Sequence, residues 1–393
     1  MQYSSRRVER IPPYVFAEMN KKKARMIQEG VDVIDLGIGD PDLPTPRPIV
    51  DKLIEEMQDP ANLKYPSFIG CAEFRKAVAD FYNREYGVAL DPDTEVLALI
   101  GSKEGIAHLI PALVDPGDVV LVPDPSYPVY RMATEIAGGE PYGMPLTAEN
   151  RYEPRFNTIP KETAERAKLM FLNYPGNPTA ATVELDCFER AVSFGRAHGI
   201  AIAHDSAYGM VTFGDYKAPS ILQAAGAKEI AIEFGSLSKT YNMTGWRIGY
   251  AVGNGRLIKS LSVMKSNMDS GPFTPIQKAA AFALNGDKET IAARNRIYKQ
   301  RMDVAIEGLA AIGVRAEAPR GSFFIWAKVP QGYTSATFAA HVLEEAGVIV
   351  TPGPAFGPAG EGFFRISVSV PGDRLEEAMN RIRHQLKFDG GQP

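Results

Sequence analysis

Residues 230–249 read IAIEFGSLSKTYNMTGWRIG, and this segment is the best guide to the fold of the chain. A short apolar run, Ile230–Phe234, ends abruptly in small and polar residues that include Lys239. A run of this length is typical of a strand buried on both faces, as in a parallel sheet covered by helices. The segment therefore predicts a buried strand that carries a lysine just beyond its carboxyl end.

Similar apolar runs recur between about residues 95 and 255, and helix-like stretches alternate with them. The other runs are Val96–Ile100, Val119–Val122, Leu169–Leu172, Ile200–Ala203 and Ile248–Val252. Buried strands that alternate with helices indicate an α/β layer. We therefore predict an α/β fold whose large domain, residues 45–280, is built on a mostly parallel sheet between helices.

The C-terminal part of the chain has a different pattern. A helical stretch at Lys288–Leu309 precedes Gly321–Val329 and Phe363–Val370, which alternate like strands of a half-exposed sheet. A helical run at Lys278–Leu284 is expected to lead into this region. We predict a smaller α+β domain made of residues 1–44 and 281–393.

Composition excludes several classes of protein. The chain has 393 residues and a net charge of −4, which fits two domains and gives no basic footprint for nucleic acid. Its two cysteines are far apart in sequence, so we expect no disulfide framework and a reduced, cytoplasmic setting. The N-terminus is polar, and no apolar stretch approaches the ~20 residues that span a bilayer, so we expect no membrane partner.

Nucleotide and metal motifs are also missing from the sequence. Residues 37–42 begin like a dinucleotide fingerprint, but Asp42 occupies the position of its third glycine. No P-loop spacing and no HExxH motif occur. None of the five histidines is expected to pair with a carboxylate at ligand spacing, so we predict no metal site.

Two groups of residues after the strands are suited to bind a phosphate. Ser236 and Ser238 can both offer hydroxyls, and Arg247 supplies a fork that matches phosphate geometry. Ser102 and Lys103 open a helix whose free N–H groups and positive dipole end form an anion site. Ser102 could instead be a simple N-cap. Since ligands of parallel sheets bind at the carboxyl ends of strands, we expect both groups to lie beside the lysine of the opening segment.

A further set of side chains is suited to a charged ring and an anionic substrate. Asp205 follows a buried strand, where a carboxylate is costly unless paired, and a protonated ring nitrogen would pair with it. Tyr208 and Asn177 could hydrogen-bond a ring oxygen, and Tyr127 could face the ring or be a hydrophobic anchor. Arg365 lies in an aromatic-rich strand and could bind a substrate carboxylate or form an internal salt bridge.

These groups are the ones that a pyridoxal-phosphate enzyme needs, and nearly the whole chain resembles the class I/II aminotransferases of fold type I. The most specific segment is residues 236–249. The resemblance implies pyridoxal 5'-phosphate as cofactor, a seven-stranded sheet, and ping-pong transfer of an amino group from an amino acid to a 2-oxo acid. It makes Lys239 the Schiff-base lysine, with Asp205 and Tyr208 as its catalytic partners. The other cofactor-binding positions that it implies are Ser102, Lys103, Tyr127, Asn177, Ser236, Ser238 and Arg247.

Within the family, the chain is most similar to the branch that acts on LL-2,6-diaminopimelate in lysine biosynthesis, with 2-oxoglutarate as acceptor. Residues 9–14, 36–46, 101–108 and 265–271 carry this similarity. It implies a homodimer in which Tyr65, at the cofactor, and Asn267, at the substrate, reach the active site of the partner subunit. The remaining substrate-binding positions that it implies are Tyr14, Gly39, Lys103, Tyr127, Asn177 and Arg365.

Other functions stay open at this point. Gly176 and Ala180 depart from the usual family loop, N-x-P-x-N-P-T-G, although Asn177 is retained. Alanine and aspartate aminotransferases share many of the same sequence motifs, and pyridoxal-phosphate lyases use the same lysine on the same fold. A regulator that binds the cofactor without turnover would usually carry a DNA-binding domain, which this sequence does not suggest.

Overall fold

A computed structural model describes residues 3–11, 15–286 and 288–386. Within these residues the chain forms twelve strands. They are β1 (Ile34–Asp35), β2 (Val96–Leu99), β3 (Val119–Asp124), β4 (Glu140–Pro145), β5 (Ala167–Asn173), β6 (Ala201–Asp205), β7 (Ala231–Ser236), β8 (Gly249–Gly253), β9 (Phe324–Lys328), β10 (Val348–Ile349), β11 (Thr351–Pro352) and β12 (Phe363–Ser367).

The same residues form fifteen α-helices, joined in places by short 3-10 turns. They are α1 (Arg6–Arg10), α2 (Val15–Gln28), α3 (Arg47–Glu56), α4 (Ala72–Tyr86), α5 (Ser102–Leu113), α6 (Val129–Ala137), α7 (Lys161–Arg166), α8 (Leu185–His198), α9 (Ala227–Ile230), α10 (Leu237–Thr240), α11 (Gly255–Ser266), α12 (Thr274–Leu284), α13 (Glu289–Ala310), α14 (Ser335–Ala346) and α15 (Gly372–Gln385). No helix among the described residues is both long enough and apolar enough to cross a membrane.

The large sheet has seven strands in the order β2-β8-β7-β6-β5-β3-β4. All neighbours are parallel except β8, which runs antiparallel to both β7 and β2. The predicted mostly parallel sheet is confirmed, and each of the six predicted runs overlaps a strand. The edge strand β4 was not predicted, because its residues are mostly half-exposed and include a glycine and two prolines.

Helices cover both faces of this sheet. Along β5, Leu169 and Phe171 face a core that includes buried residues of α5, α6 and α11, while Met170 and Leu172 face the core beneath α4, α8 and α12. All four side chains are fully buried. Because successive strand residues point to opposite faces, a continuous apolar run is the expected pattern for a strand covered twice.

A three-stranded sheet and a two-stranded sheet form a second unit. Strand β12 pairs antiparallel with β9 and β11, and β1 pairs in parallel with β10. Side chains of α13, α14 and α15 cover them in a separate core that includes Tyr298, Phe338 and Phe364. The two predicted strands of this region are confirmed in shortened form. The predicted domain bounds, 1–44 with 281–393 and 45–280, stay a prediction.

Helix α12 differs from the prediction that it would lead into the smaller unit. Its buried residues Ala279, Ala280, Ala281, Ala283 and Leu284 pack in the core of the large sheet. The sequence pattern predicted the helix but did not indicate which sheet it packs against.

We expect Phe171→Ala to lower the stability of the fold. The Phe171 ring is fully buried and stacks on the Tyr130 ring, with centroids 4.8 Å apart. Truncation of such a ring costs ~3–5 kcal/mol, so the urea midpoint of the cofactor-free protein should fall clearly. Ile54→Ala, at a side chain that is 49% exposed, is the control and should change stability by less than ~0.5 kcal/mol. Equal shifts for the two variants would contradict this packing.

Candidate functional site

A cavity of about 560 Å³ lies where the carboxyl ends of β2, β3, β5, β6 and β7 meet. Parallel strands bring their carboxyl ends to one edge, and this is where such sheets bind ligands. The cavity brings together most of the residues that the sequence singled out. They are Gly39, Ser102, Lys103, Tyr127, Asn177, Asp205, Tyr208, Ser236, Ser238, Lys239, Arg247 and Arg365.

Two predicted site residues of the described chain do not line this cavity, and a third is not among the described residues. Tyr65 is 92% exposed. Asn267 is exposed at the C-cap of α11, where its amide donates to the carbonyl of Val263 at 2.8 Å. Tyr14 lies outside the described residues. The first two are the positions that the resemblance assigns to the active site of a partner subunit.

Lys239 lies on the short helix α10 and points across the cavity. Its Nζ donates to the carbonyl of Gly39 at 2.8 Å. Gly39 allows this close approach, because a Cβ there would lie 2.6 Å from the ring of Phe324. Burial lowers the pKa of Lys239 to about 8; Asp40 opposes this shift, and two guanidinium groups of the cavity add to it. A substantial fraction of the amine is therefore neutral near physiological pH, as a nucleophile or base requires.

The start of α5 forms an anion site with Arg247. The N-cap of α5 is Gly101, at φ +81°, and no side chain caps this end. The alternative that Ser102 is the N-cap is therefore wrong, since the helix begins at Ser102 itself. A Cβ at position 101 would lie 2.4 Å from Nη2 of Arg247. The missing side chain leaves the guanidinium beside free N–H groups of a helix N-terminus.

Two serines extend the anion site from the end of β7. Ser236 and Ser238 both line the cavity, and the Ser236 hydroxyl caps α10 by accepting from the N–H of Ser238 at 3.2 Å. Arg247 is anchored nearby through Nη1, which donates to the carbonyl of Thr244 at 2.9 Å. Hydroxyls, amide hydrogens and a guanidinium thus converge on one end of the cavity, which is the donor set that a phosphate binds.

Asp205 forms the floor of the cavity and is 5% exposed. Its carboxylate accepts from the Tyr130 hydroxyl at 2.7 Å and from the N–H of Ala207 at 3.2 Å. Burial raises the pKa of Asp205, and these two hydrogen bonds and the charge of His204 act against that rise. A cationic partner in the cavity would hold this carboxylate ionised.

Asn173 joins Asp205 to the loop that carries Asn177. The Asn173 amide donates to the backbone carbonyl of Asp205 at 2.8 Å, and its Oδ1 accepts from the N–H of Asn177, also at 2.8 Å. Sequence reasoning missed the roles of Asn173 and Tyr130. Asn173 was visible as the first residue after a buried run, whereas Tyr130 has the pattern of an ordinary core residue.

Arg365 connects the smaller sheet to the large one. Its Nη1 donates to Oδ1 of Asn177 at 2.6 Å, and its Nη2 donates to the carbonyl of Gly37. The guanidinium carbon lies 4.2 Å from the ring centroid of Phe324 and 4.6 Å from that of Phe356. Neutral oxygens and two aromatic faces hold the group in a fixed orientation, which suits a guanidinium that binds an anion. The sequence did not single out either phenylalanine.

The side chains of Tyr127 and Tyr208 both line the cavity, and each packs against a different set of aromatic rings. The Tyr127 ring packs edge-on against Tyr130, with centroids 5.9 Å apart. The Tyr208 ring packs edge-on against Phe323 and Phe324 at 5.3 and 5.5 Å. Burial raises the pKa of Tyr208, so its phenol stays protonated and can donate a hydrogen bond.

One carboxylate–histidine cluster corrects the expectation that no histidine has such a partner. Nδ1 of His108 lies 2.7 Å from Oε1 of Glu104, one helical turn away, and 3.9 Å from a carboxylate oxygen of Asp269. The three side chains have the spacing of a metal-ligand set. The ammonium of Lys265 is 3.6 Å from Glu104 and also pairs with Asp269, so a cation of the chain already balances these carboxylates.

Comparison with known proteins identifies the family. The family model for aminotransferase class I and II matches residues 31–382. An LL-diaminopimelate aminotransferase from Moorella thermoacetica is 52% identical over 382 residues, which cover 97% of this chain and 98% of that protein. One from Aquifex aeolicus is 51% identical over 380 residues, with the same coverage. Substrate-bound BacF from Bacillus subtilis has a TM-score of 0.94 and 39% identity, covering 98% of each chain. The chain therefore belongs to the class I and II aminotransferases, a family of pyridoxal-phosphate enzymes of fold type I.

Proposed function

We propose that this chain is an LL-2,6-diaminopimelate aminotransferase of lysine biosynthesis that passes the amino group to 2-oxoglutarate by ping-pong chemistry. The observation that carries the transaminase chemistry is the convergence, in one cavity, of a lysine with a lowered pKa, a buried aspartate and an uncapped helix N-terminus. The substrate is supported by the relatives named LL-diaminopimelate aminotransferase, which match at 51% and 52% identity over nearly full length.

The residues of the cavity fit pyridoxal 5'-phosphate. Gly101 lets the Arg247 guanidinium lie close to the start of α5, where the Cβ of any other residue would clash with it. Asp205 is a buried carboxylate whose hydrogen-bond donors among the described residues are a phenol and a backbone N–H, and a protonated ring nitrogen would supply a cationic donor. When bound, the cofactor supplies an electron-withdrawing ring that stabilises negative charge at the α-carbon of the substrate.

The side chains of the cavity have distinct tasks in this proposal. Lys239 supplies the amine that holds the cofactor and then carries the α-proton, and its lowered pKa makes the neutral amine accessible. Asp205 keeps the ring nitrogen protonated. The Tyr208 hydroxyl and the Asn177 amide donate to the ring oxygen, and the Tyr127 ring faces the cofactor. Arg365 binds the α-carboxylate of the substrate.

Other residues of the cavity bind the phosphate and the far end of the substrate in this proposal. Ser102, Ser236, Ser238 and Arg247 hold the phosphate, and Lys103 lies where it can serve the phosphate or the substrate. Gly39 lets the backbone approach the substrate beside Lys239. Tyr14 completes the substrate site in this proposal by the family resemblance alone.

We also propose that the enzyme is a cytoplasmic homodimer with shared active sites. Tyr65 and Asn267 then reach the cavity of the partner subunit. Exposed apolar side chains near them in sequence support this: Leu63 is 53%, Phe68 50% and Met268 63% exposed. Clusters of exposed apolar residues mark surfaces that other proteins cover.

A half-reaction screen tests the substrate. The purified enzyme, loaded with cofactor, is mixed with single amino acids while the absorbance of the bound cofactor is followed. We expect LL-diaminopimelate and glutamate to react faster than alanine and aspartate. Inertness to LL-diaminopimelate with a fast response to aspartate or alanine would replace the substrate and keep the reaction class. Release of ammonia without a 2-oxo acid acceptor would indicate a lyase.

We expect Lys239→Ala to lower turnover at least ~10²-fold, because the proton-transfer group is lost. Lys259→Ala, at an exposed lysine, is the matched control and should keep full activity.

In the cofactor-free wild type, trace acetylation followed by mass spectrometry should label Lys239 half-maximally near pH 8, since only the neutral amine reacts. Exposed lysines in general require a pH near ~10.4. Labelling of Lys239 in step with the exposed lysines would refute the lowered pKa.

Asp205→Asn should retain the cofactor but lower turnover at least ~10²-fold, because a neutral amide does not keep the ring nitrogen protonated. Tyr130→Phe removes one hydrogen bond from Asp205 and leaves its charge, so it should cost about fivefold, equivalent to ~1 kcal/mol. Cofactor content from absorbance and kcat are measured together. Near-normal kcat in Asp205→Asn would contradict the role of this carboxylate.

A further inference from the structure

A second buried polar cluster lies on the face of the large sheet that is opposite to the side chain of Asp205. Its members are His204, the residue before Asp205 on β6, Glu233 on β7 and Tyr82 on α4, which are 0%, 0% and 1% exposed. Successive strand residues point to opposite faces, so His204 lies directly behind Asp205. The cluster is separate from the residues that line the cavity.

Glu233 accepts hydrogen bonds from three sides. Its Oε1 accepts from the hydroxyl of Tyr82 at 2.6 Å. Its Oε2 accepts from the N–H of Ile221 at 2.9 Å and lies 2.7 Å from Nδ1 of His204. A carboxyl group that accepts several hydrogen bonds is stabilised in its ionised form. The geometry therefore favours a buried carboxylate that requires a positive partner.

The second ring nitrogen of His204 also faces an acceptor. Its Nε2 lies 3.1 Å from the carbonyl oxygen of Tyr174, and a carbonyl can only accept. With a carboxylate at Nδ1 and a carbonyl at Nε2, both nitrogens are placed to donate, and an imidazole that donates from both is an imidazolium. The ring of Phe188 packs against the imidazole, with centroids 4.6 Å apart, which excludes water from this face.

The other titratable side chains around the pair are neutral. Burial raises the pKa of each of them, and they are Tyr82, Tyr86, Cys187 and Tyr250. The hydrogen-bonded pair of Glu233 and His204 therefore lies on one face of the sheet, and Asp205 lies on the other. A buried ion pair of this kind does not by itself add stability, so a role beyond stability is worth testing.

We propose that His204 is a positioning residue for Asp205: as an imidazolium held by Glu233 and Tyr174, it keeps the Asp205 carboxylate ionised from behind the strand. The inference rests on the role proposed above for Asp205. Burial favours the neutral acid at Asp205, and the positive charge of His204 favours the carboxylate. The ring nitrogen of the cofactor would then always meet a negative charge.

The protonation state of His204 can be measured in the wild-type protein, which does not depend on any variant folding. Selective ¹⁵N labelling of the five histidines gives ring-nitrogen signals in the cofactor-free and the cofactor-loaded enzyme. We expect both nitrogens of His204 to carry hydrogen at pH 7.5, a pH at which an imidazole in water, with a pKa near ~6.5, is mostly neutral. The exposed rings of His198 and His384 report in the same spectra. A His204 ring with one bare nitrogen would overturn the inference.

A pH profile tests the consequence for Asp205. In His204→Gln the cation is lost, and we expect the acid limb of kcat to move up by about one pH unit, the lower end of what a nearby opposite charge causes. Affinity for the cofactor at pH 6 should fall in parallel. Tyr82→Phe keeps both charges and should leave the acid limb in place.

The outcomes separate this inference from the proposed function. An unmoved acid limb in a folded His204→Gln enzyme would overturn the role of His204 while transaminase activity and the effect of Asp205→Asn persist. Full activity of Asp205→Asn would instead remove the proposed function of that carboxylate, whatever the state of His204.

Discussion

The structure depends on one constraint: a carboxylate is buried at the end of a central strand and must be kept charged. Burial of Asp205 favours its neutral form. The surrounding contacts oppose this with a buried phenol, a backbone N–H and the cluster behind the strand. Placing a charge in such a position costs free energy in the absence of a partner. The need for a cationic ligand is therefore built into the scaffold before any ligand binds.

The parallel sheet turns this local constraint into a site. Five strands deliver their carboxyl ends to one edge, so residues that are far apart in sequence line one cavity. Asp205 ends β6, and Lys239 lies on α10, directly after the adjacent strand β7. Ser102 at the start of α5 and Arg247 line the same cavity. A ligand with a phosphate, a ring cation and an aldehyde matches this set of groups.

Much of the sheet and the site could be predicted from the sequence because both follow from local patterns. Continuous apolar runs predicted six strands, and polar residues that follow five of them line the cavity. The edge strand β4 was not predicted, because an edge strand need not be apolar on both faces. The sequence did not predict the roles of Tyr130, Phe324 and Phe356 in the site. An aromatic residue in a helix or strand has the same sequence pattern whether it packs in a core or beside a charged group. The pairing of Glu104 with His108 needed only i,i+4 spacing, and sequence reasoning overlooked it.

The contact between Arg365 and Asn177 joins the two units across the cavity. If Arg365 binds a substrate carboxylate, as proposed above, that carboxylate competes with the amide oxygen of Asn177 for one nitrogen of the guanidinium. The apparent free energy of substrate binding is then the difference between the free energies of two contacts that Arg365 makes, and not the free energy of either contact alone. Changes at Asn177 alter both sides of this exchange at once, so affinity and the mutual docking of the two sheets are thermodynamically linked.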